Sequence, residues 1–237
     1  MIKFFRKIRR ALINTGSTRK YLLYAVGEIT LVVIGILIAL QINNHNEWKK
    51  ERKLEQQIIL ELKENLELNI SHLENEINRK NRSDFSSKVI LNAIENNLMY
   101  HDSLEKHFGW GLSFENTSPL SNVGYKSYRD AGTNILTNNA LKKEIIYLFE
   151  DTYNNSNTRL SRLSELNVET VKLRQKHLLR KRNFRFEPFD YPSLKEDNEF
   201  VSWARSIKES RNWGKAAMQS SLEETERVLQ LINQELE

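Results

Sequence analysis

The chain has 237 residues, a net charge of +5 and no cysteine. Its length suffices for one sizeable hydrophobic core, and the missing cysteines exclude disulfides as a source of stability in any compartment. The charge balance excludes a strongly basic domain: seven basic residues, Lys3, Arg6, Lys7, Arg9, Arg10, Arg19 and Lys20, stand in the first twenty positions with no Asp or Glu among them. The tail therefore carries more than the whole net charge, and the remaining chain is slightly acidic. Nucleic acid is a poor partner for such a distribution. Anionic lipid headgroups suit the tail better.

Behind the basic residues 1–20 lies the apolar segment Tyr21 to Ile42, YLLYAVGEITLVVIGILIALQI. As a helix, 22 residues rising 1.5 Å each span about 33 Å, one hydrocarbon core. Ile29 to Leu40 contains only Thr30 as a polar side chain, too few for a soluble core helix. A cleaved signal peptide would share the basic start, but the apolar run ends in Ala39-Leu40-Gln41-Ile42-Asn43-Asn44, which lacks a small-x-small cleavage site. An uncleaved transmembrane helix over 21–42 is the reading. Lys49, Lys50, Arg52, Lys53 and Lys63 follow the span, and seven basic residues against five place the N-terminus in the cytoplasm and residues 43–237 outside it. Glu28, Gly35 and Ala39 share one helical face. Gly35-x-x-x-Ala39 is a small-xxx-small spacing that lets two backbones approach, so this face is the candidate helix–helix contact in the membrane.

The order Val26-Gly27-Glu28-Ile29, then Leu31-Val32-Val33-Ile34-Gly35-Ile36-Leu37-Ile38-Ala39-Leu40-Gln41-Ile42-Asn43-Asn44, resembles the N-terminal signature of a family of single-span proteins of Gram-negative bacteria. That family is catalogued as a domain of unknown function. Ile2-Lys3-Phe4-Phe5-Arg6-Lys7-Ile8-Arg9 fits the same signature, and Tyr125 to Leu141 fits it more loosely. His45 departs from the pattern, which has an aromatic such as Trp there; Trp48 is the nearby substitute. The resemblance implies a bacterial inner-membrane protein and implies no activity; the charge bias then makes the C-terminal domain periplasmic.

Beyond the span, glycine and proline are sparse, and long amphipathic stripes follow. The first carries Ile58, Leu62, Leu66, Ile70, Leu73 and Ile77, and with nothing to break it, its helix runs on from the span. A second carries Phe85, Val89, Ile90, Ala93, Ile94 and Leu98. The third carries Leu141, Ile145, Leu148, Phe149, Tyr153, Leu160, Leu163, Leu166 and Val171, and the last Ala217, Leu222, Leu229, Ile232 and Leu236. The fold class predicted is all-α: one transmembrane helix followed by an exported bundle of about four long helices over 43–237. Short helices near 121–131 and 198–210 fill the gaps. Heptads are not sustained, since Asn69 and Glu76 interrupt them, so at most a short coiled coil lies near the membrane.

No pattern in the chain carries an obvious chemistry. None of the five histidines follows a Glu at i−3, there is no His-Glu-x-x-His, and no glycine cluster forms a phosphate cradle. No catalytic residue, metal ligand or cofactor site is assigned, and neither is a small-molecule substrate. Two groups remain as binding candidates. Aromatics cluster at Trp110, Phe114, Tyr125 and Tyr128, and again at Phe184, Phe186, Phe189 and Tyr191 with Trp203 and Trp213 beyond. Beside the second group lies a basic run containing Arg174, Arg180, Arg182 and Arg185. These arginines complement a helix C-terminus, or, with Phe186, Phe189 and Tyr191, form an anion or partner surface. The leading expectation is a membrane-anchored interaction or scaffold protein with a protein partner or self-association. The alternative is a ligand-sensing ectodomain working with a separate transducer. Catalysis is the least favoured class, for want of a nucleophile, metal or cofactor pattern.

Overall fold

The structure is a computed structural model that describes residues 18–113 and 118–237. The basic tail before Thr18 and Phe114 lie outside the described residues, as does the side chain of Leu166. The fold is 84% helical and carries one two-stranded sheet, so the helical class holds while a strictly all-α description does not. Helix α1, Thr18–Glu95, is a single element of 78 residues. The others are α2 (Leu104–Gly111), α3 (Val123–Ala131), α4 (Asn139–Tyr147), a π-helical turn (Leu148–Tyr153), α5 (Asn154–His177), β1 (Leu178–Arg180), β2 (Phe186–Pro188), α6 (Tyr191–Glu196) and α7 (Asn198–Leu236). The chain divides into an N-terminal unit ending at Glu55 and a C-terminal unit, Gln56–Glu237.

In the N-terminal unit the Leu, Ile and Val residues from Leu22 to Ile42 are 46–68% exposed. Thr30 turns its hydroxyl back onto the Val26 carbonyl at 2.9 Å, which satisfies it within the helix. Past the apolar stretch, Asn43 donates to Glu47 at 3.0 Å. His45 stacks on Trp48 with centroids 6.0 Å apart, and the Arg52 guanidinium lies 5.9 Å from the Trp48 ring.

In the C-terminal unit four chain passes alternate in direction, and the hydrogen bonds between them set the register. The remainder of α1 is the first pass. The return pass is not a long helix: it consists of α2, a loop and α3. Along it His107 meets Ser86, Ser118 meets His72, and Ser121 and Gly124 meet Asn69 and Asn65. Helix α4, the π turn and α5 form the third pass. Helix α7 runs back beside it, pairing Lys176 with Glu199, Tyr153 with Thr225 and Asn138 with Glu235. The stripe over 85–98 expected as a separate helix is the continuation of α1. The apolar pattern lapses after Ile77 because the buried face turns polar there, with Lys80, Ser83, Asp84, Ser86 and Ser87 all inside.

That polar level separates two cores. One gathers Ile58, Leu62 and Leu66 of α1 with Tyr128, Ile145, Leu148, Met218 and Ile232. The other gathers Ile90 and Ile94 with Phe108, Phe186, Tyr191 and Phe200. Between them Arg211 of α7 is buried, donating to Ser87 Oγ at 2.8 Å and to the carbonyls of Gly111 (3.0 Å) and Ser113 (2.9 Å).

Helix α1 ends where Asn97 adopts φ 48°, letting the Leu98 amide reach the Ala93 carbonyl at 2.9 Å. Asn138 caps α4, Asp190 caps α6 and Asp197 caps α7, each accepting from the first-turn amides. The strand pair is the departure from the all-helical expectation. It is an antiparallel hairpin with Leu179 opposite Glu187. Its tip places Asn183 and Phe184 both at φ 58°, the geometry of a tight hairpin turn of the kind that suits the strand twist. Asparagine tolerates this region; phenylalanine is strained there by roughly 1–2 kcal/mol. Phe184 is held by the Trp110 ring (5.1 Å), the Phe186 ring (5.6 Å) and the Arg174 guanidinium (6.0 Å).

Gly109 is what lets α2 receive this turn. A Cβ there would lie 1.9 Å from the Phe184 carbonyl oxygen. Gly109→Ala gains about 1 kcal/mol of helix propensity, but overpacking against a backbone atom costs about 1–3 kcal/mol or more. The expected outcome is a lower melting temperature by circular dichroism, with the overpacking cost exceeding the propensity gain.

Candidate functional site

The candidate residues of the span lie in the N-terminal unit. Glu28 is partly buried, whereas Gly35 and Ala39 are exposed, and nothing within 4 Å would meet a Cβ at Gly35. The glycine therefore serves no packing purpose within the described chain.

The basic and aromatic group gathers at the hairpin but does not form one surface. Phe186 and Tyr191 are core residues, 4% and 7% exposed, while Phe189 is 63% exposed. Tyr191 packs against Tyr100 and Phe108 at 5.2 and 6.4 Å. Arg174 is stacked over Phe186 at 4.8 Å, and burial followed by the neighbouring Arg180 charge holds its pKa below the usual guanidinium value. Arg185 approaches the buried Glu105 at 3.9 Å. Lys181, within the same run, bonds Glu105 at 2.6 Å and Glu187 at 2.9 Å, and these bonds raise its pKa. Glu105, distant in sequence, thus neutralises part of the cluster. Arg180 and Arg182 are exposed and have no ion-pair partner among the described residues.

The histidines do not assemble. His101 bonds Ser103, and His107 Nδ1 lies 3.2 Å from Ser86 Oγ. Among the described residues one grouping could hold a cation: His177, Asp197 and Glu199 place a ligand atom each within 4.8 Å of one another. Its carboxylates have structural partners already. Asp197 caps α7 through the Glu199 and Phe200 amides, and Glu199 bonds Lys176 at 2.6 Å. His177 Nε2 lies 3.6 Å from Asp197.

A cleft of about 510 Å³ lies between α3 and the π turn. A π turn widens the helix by one residue per turn and is frequent at functional sites. Here it sets Phe149 against Tyr125, the rings parallel within 3° at 4.5 Å, and brings Glu150 to Tyr125 Oη (2.9 Å) and Arg129 Nη1 (3.0 Å). Asn122, Asn154 and Asn157 add amides around this aromatic floor. The arrangement can bind a polar ligand; it presents no nucleophile–base pair. The Tyr125–Glu150 and Asn157–Leu120 bonds join residues 25 and 37 apart, with no local motif to announce them.

Two phenols line the cleft and have pKa values pushed up to about 12. For Tyr125 the causes are burial and then the Glu150 hydrogen bond. For Tyr153 burial raises the value, and bonds to Thr225 and Asn69 partly offset it. An unfolded tyrosine ionises near pH 10, so the folded state binds these protons more tightly. The resulting stability is fully present below about pH 10 and is lost as pH rises toward 12. Phenolate absorbance during an alkaline titration should show several late-ionising phenols, Tyr100 among them, and Tyr125→Phe with Tyr153→Phe should lower their number by two and reduce the alkaline loss of stability.

No protein-family model, curated protein or solved structure matches this chain, so the roles of these residues must be drawn from their own geometry and chemistry.

Proposed function

We propose that the protein is a membrane-anchored helical interaction module, its N-terminus cytoplasmic and its C-terminal unit presented on the far side of a bacterial inner membrane. One observation carries this: the apolar stretch of α1 is long enough to cross a hydrocarbon core, and its Leu, Ile and Val side chains from Leu22 to Ile42 are all exposed. Exposed apolar surface of this extent is a lipid or partner surface, and a helix is one of the two backbone forms that satisfy themselves in lipid. The seven-to-five distribution of basic residues supports the orientation, and the resemblance of the 26–44 signature supports the compartment. The Gly35 and Ala39 face suits a second copy of the span.

A reporter fused after Glu237 should be active only outside the cytoplasm, and one fused before Met1 only inside. The protein should resist carbonate extraction from membranes. Release by carbonate would overturn the anchor, and a cytoplasmically active C-terminal fusion would overturn the orientation. Crosslinking in native membranes then identifies the partner.

The cleft at the π turn favours a second reading, in which the C-terminal unit receives a polar ligand. Sites of this size, with convergent polar groups and shifted pKa values, are the usual seats of small-molecule binding.

A further inference from the structure

A second cleft, about 490 Å³, opens between the polar level of α1 and α2, and its composition differs from that of the first. Its cations are Arg82 and Lys106, its rings Phe85, Trp110 and His107, and no carboxylate lines it. Neither Arg82 nor Lys106 has an ion-pair partner among the described residues. The nearest acids in sequence are engaged elsewhere: Asp84 is buried and paired with Lys88 at 2.8 Å, and Glu105, beside Lys106, is buried and bonds Lys181 at 2.6 Å. Among the described residues, the positive charge of the cleft is therefore uncompensated.

Its rings are equally unspent. Phe85 is 61% and Trp110 42% exposed, although large aromatics normally bury. Both are braced from behind. Trp110 leans on Phe184 at 5.1 Å, and Phe85 meets the edge of His107 at 5.9 Å. The strained backbone of Phe184 helps hold this wall, and strain of this kind clusters where a ligand is clamped. His107 is held by the Ser86 hydroxyl, and burial followed by the adjacent Lys106 charge lowers its pKa. It therefore presents a neutral ring at pH 7 and adds a polar edge without further charge.

We infer that this cleft binds a small aromatic carboxylate, its ring between Phe85 and Trp110 and its carboxylate toward Arg82 and Lys106. Guanidinium and ammonium groups form charge-assisted hydrogen bonds to carboxylates, and the volume lies within the roughly 300–1,000 Å³ of small-ligand sites. A neutral aromatic would leave both cations unanswered, and a small apolar-free anion would leave both rings in water. This inference uses nothing from the membrane reading: the anchor can fail while the cleft binds, and the reverse.

The test is isothermal titration of the full chain in detergent micelles, with empty micelles as the blank. The ligands are 2-naphthoate, its neutral analogue 2-naphthylmethanol, and acetate. Naphthoate should bind, and both other compounds at least tenfold more weakly. The double variant Arg82→Gln/Lys106→Gln should raise the naphthoate Kd at least tenfold while leaving the weak naphthylmethanol binding unchanged. Phe85→Ala should weaken both aromatic ligands. All three replaced side chains are exposed, so the melting temperature should stay near that of the parent, and Lys172→Gln, an exposed cation elsewhere, should leave naphthoate binding intact. The inference is overturned if naphthoate does not bind the parent protein, or if its affinity survives the double variant.

Discussion

Leu148→Asp should unfold the C-terminal unit. Leu148 opens the π turn, is 0% exposed and belongs to the core that joins α1 with α3, α4 and α7. Truncation to alanine would cost about 2–5 kcal/mol through lost burial and an unfilled cavity. Aspartate adds an uncompensated buried charge, itself several kcal/mol after relaxation. A domain's whole stability is about 5–15 kcal/mol, so the two costs together reach it. Circular dichroism of the full chain in micelles should lose the cooperative melt, leaving helix only where lipid-like surroundings support it. Val168→Asp, at a position 64% exposed, should change stability by less than about 0.5 kcal/mol. A cooperative melt in Leu148→Asp close to that of the parent would contradict the packing described for the π turn.

The second large effect is expected at Arg211, the buried cation of the polar level. Its guanidinium reaches a hydroxyl on α1 and two carbonyls at the end of α2, so one side chain ties three passes together. Arg211→Met keeps most of the stem volume and removes the donors. The Ser113 carbonyl is then stranded in a dry site at about 1–3 kcal/mol, less whatever relaxation recovers, while the Gly111 carbonyl keeps the Ser87 hydroxyl at 2.6 Å. Arg211→Lys should fall between, because an ammonium cannot reproduce the planar fork that serves several acceptors at once. Thermal melts of the two variants should give the order parent, lysine, methionine. Hydrogen exchange should show faster opening around 104–113 in the methionine variant. A methionine variant as stable as the parent would mean that the polar level is dispensable, as buried ionic groups sometimes are.

Much of this protein is decided locally. The apolar stretch from Tyr21 to Ile42 needs no tertiary partner to be helical or to be long and apolar enough to cross a membrane, because hydropathy and backbone self-satisfaction act along one segment. The stripes at Ile58–Ile77, Leu141–Tyr153 and Ala217–Leu236 are also local, since a 3.6-residue period shows which face must be covered. The caps at Asn138, Asp190 and Asp197 act within a turn of their own helices.

What covers each face is not local. The break in the stripe after Ile77 reads as a helix end, yet α1 continues to Glu95, because a polar residue is tolerated inside when a partner far along the chain satisfies it. Arg211 lies 124 residues from Ser87, and no periodicity encodes that pairing. The same holds for the hairpin. Residues 178–188 are a short basic and aromatic run until Gly109 opens room for the Phe184 carbonyl and Glu105 neutralises Lys181. Only then do Phe186 and Tyr191 become core while Phe189 stays outside. Composition and period alone determined the helical class and the exposed apolar stretch. The return pass, the polar level between two cores and both clefts arise from contacts made between distant residues, where the satisfaction of buried polar groups and the close approach of backbones decide the outcome.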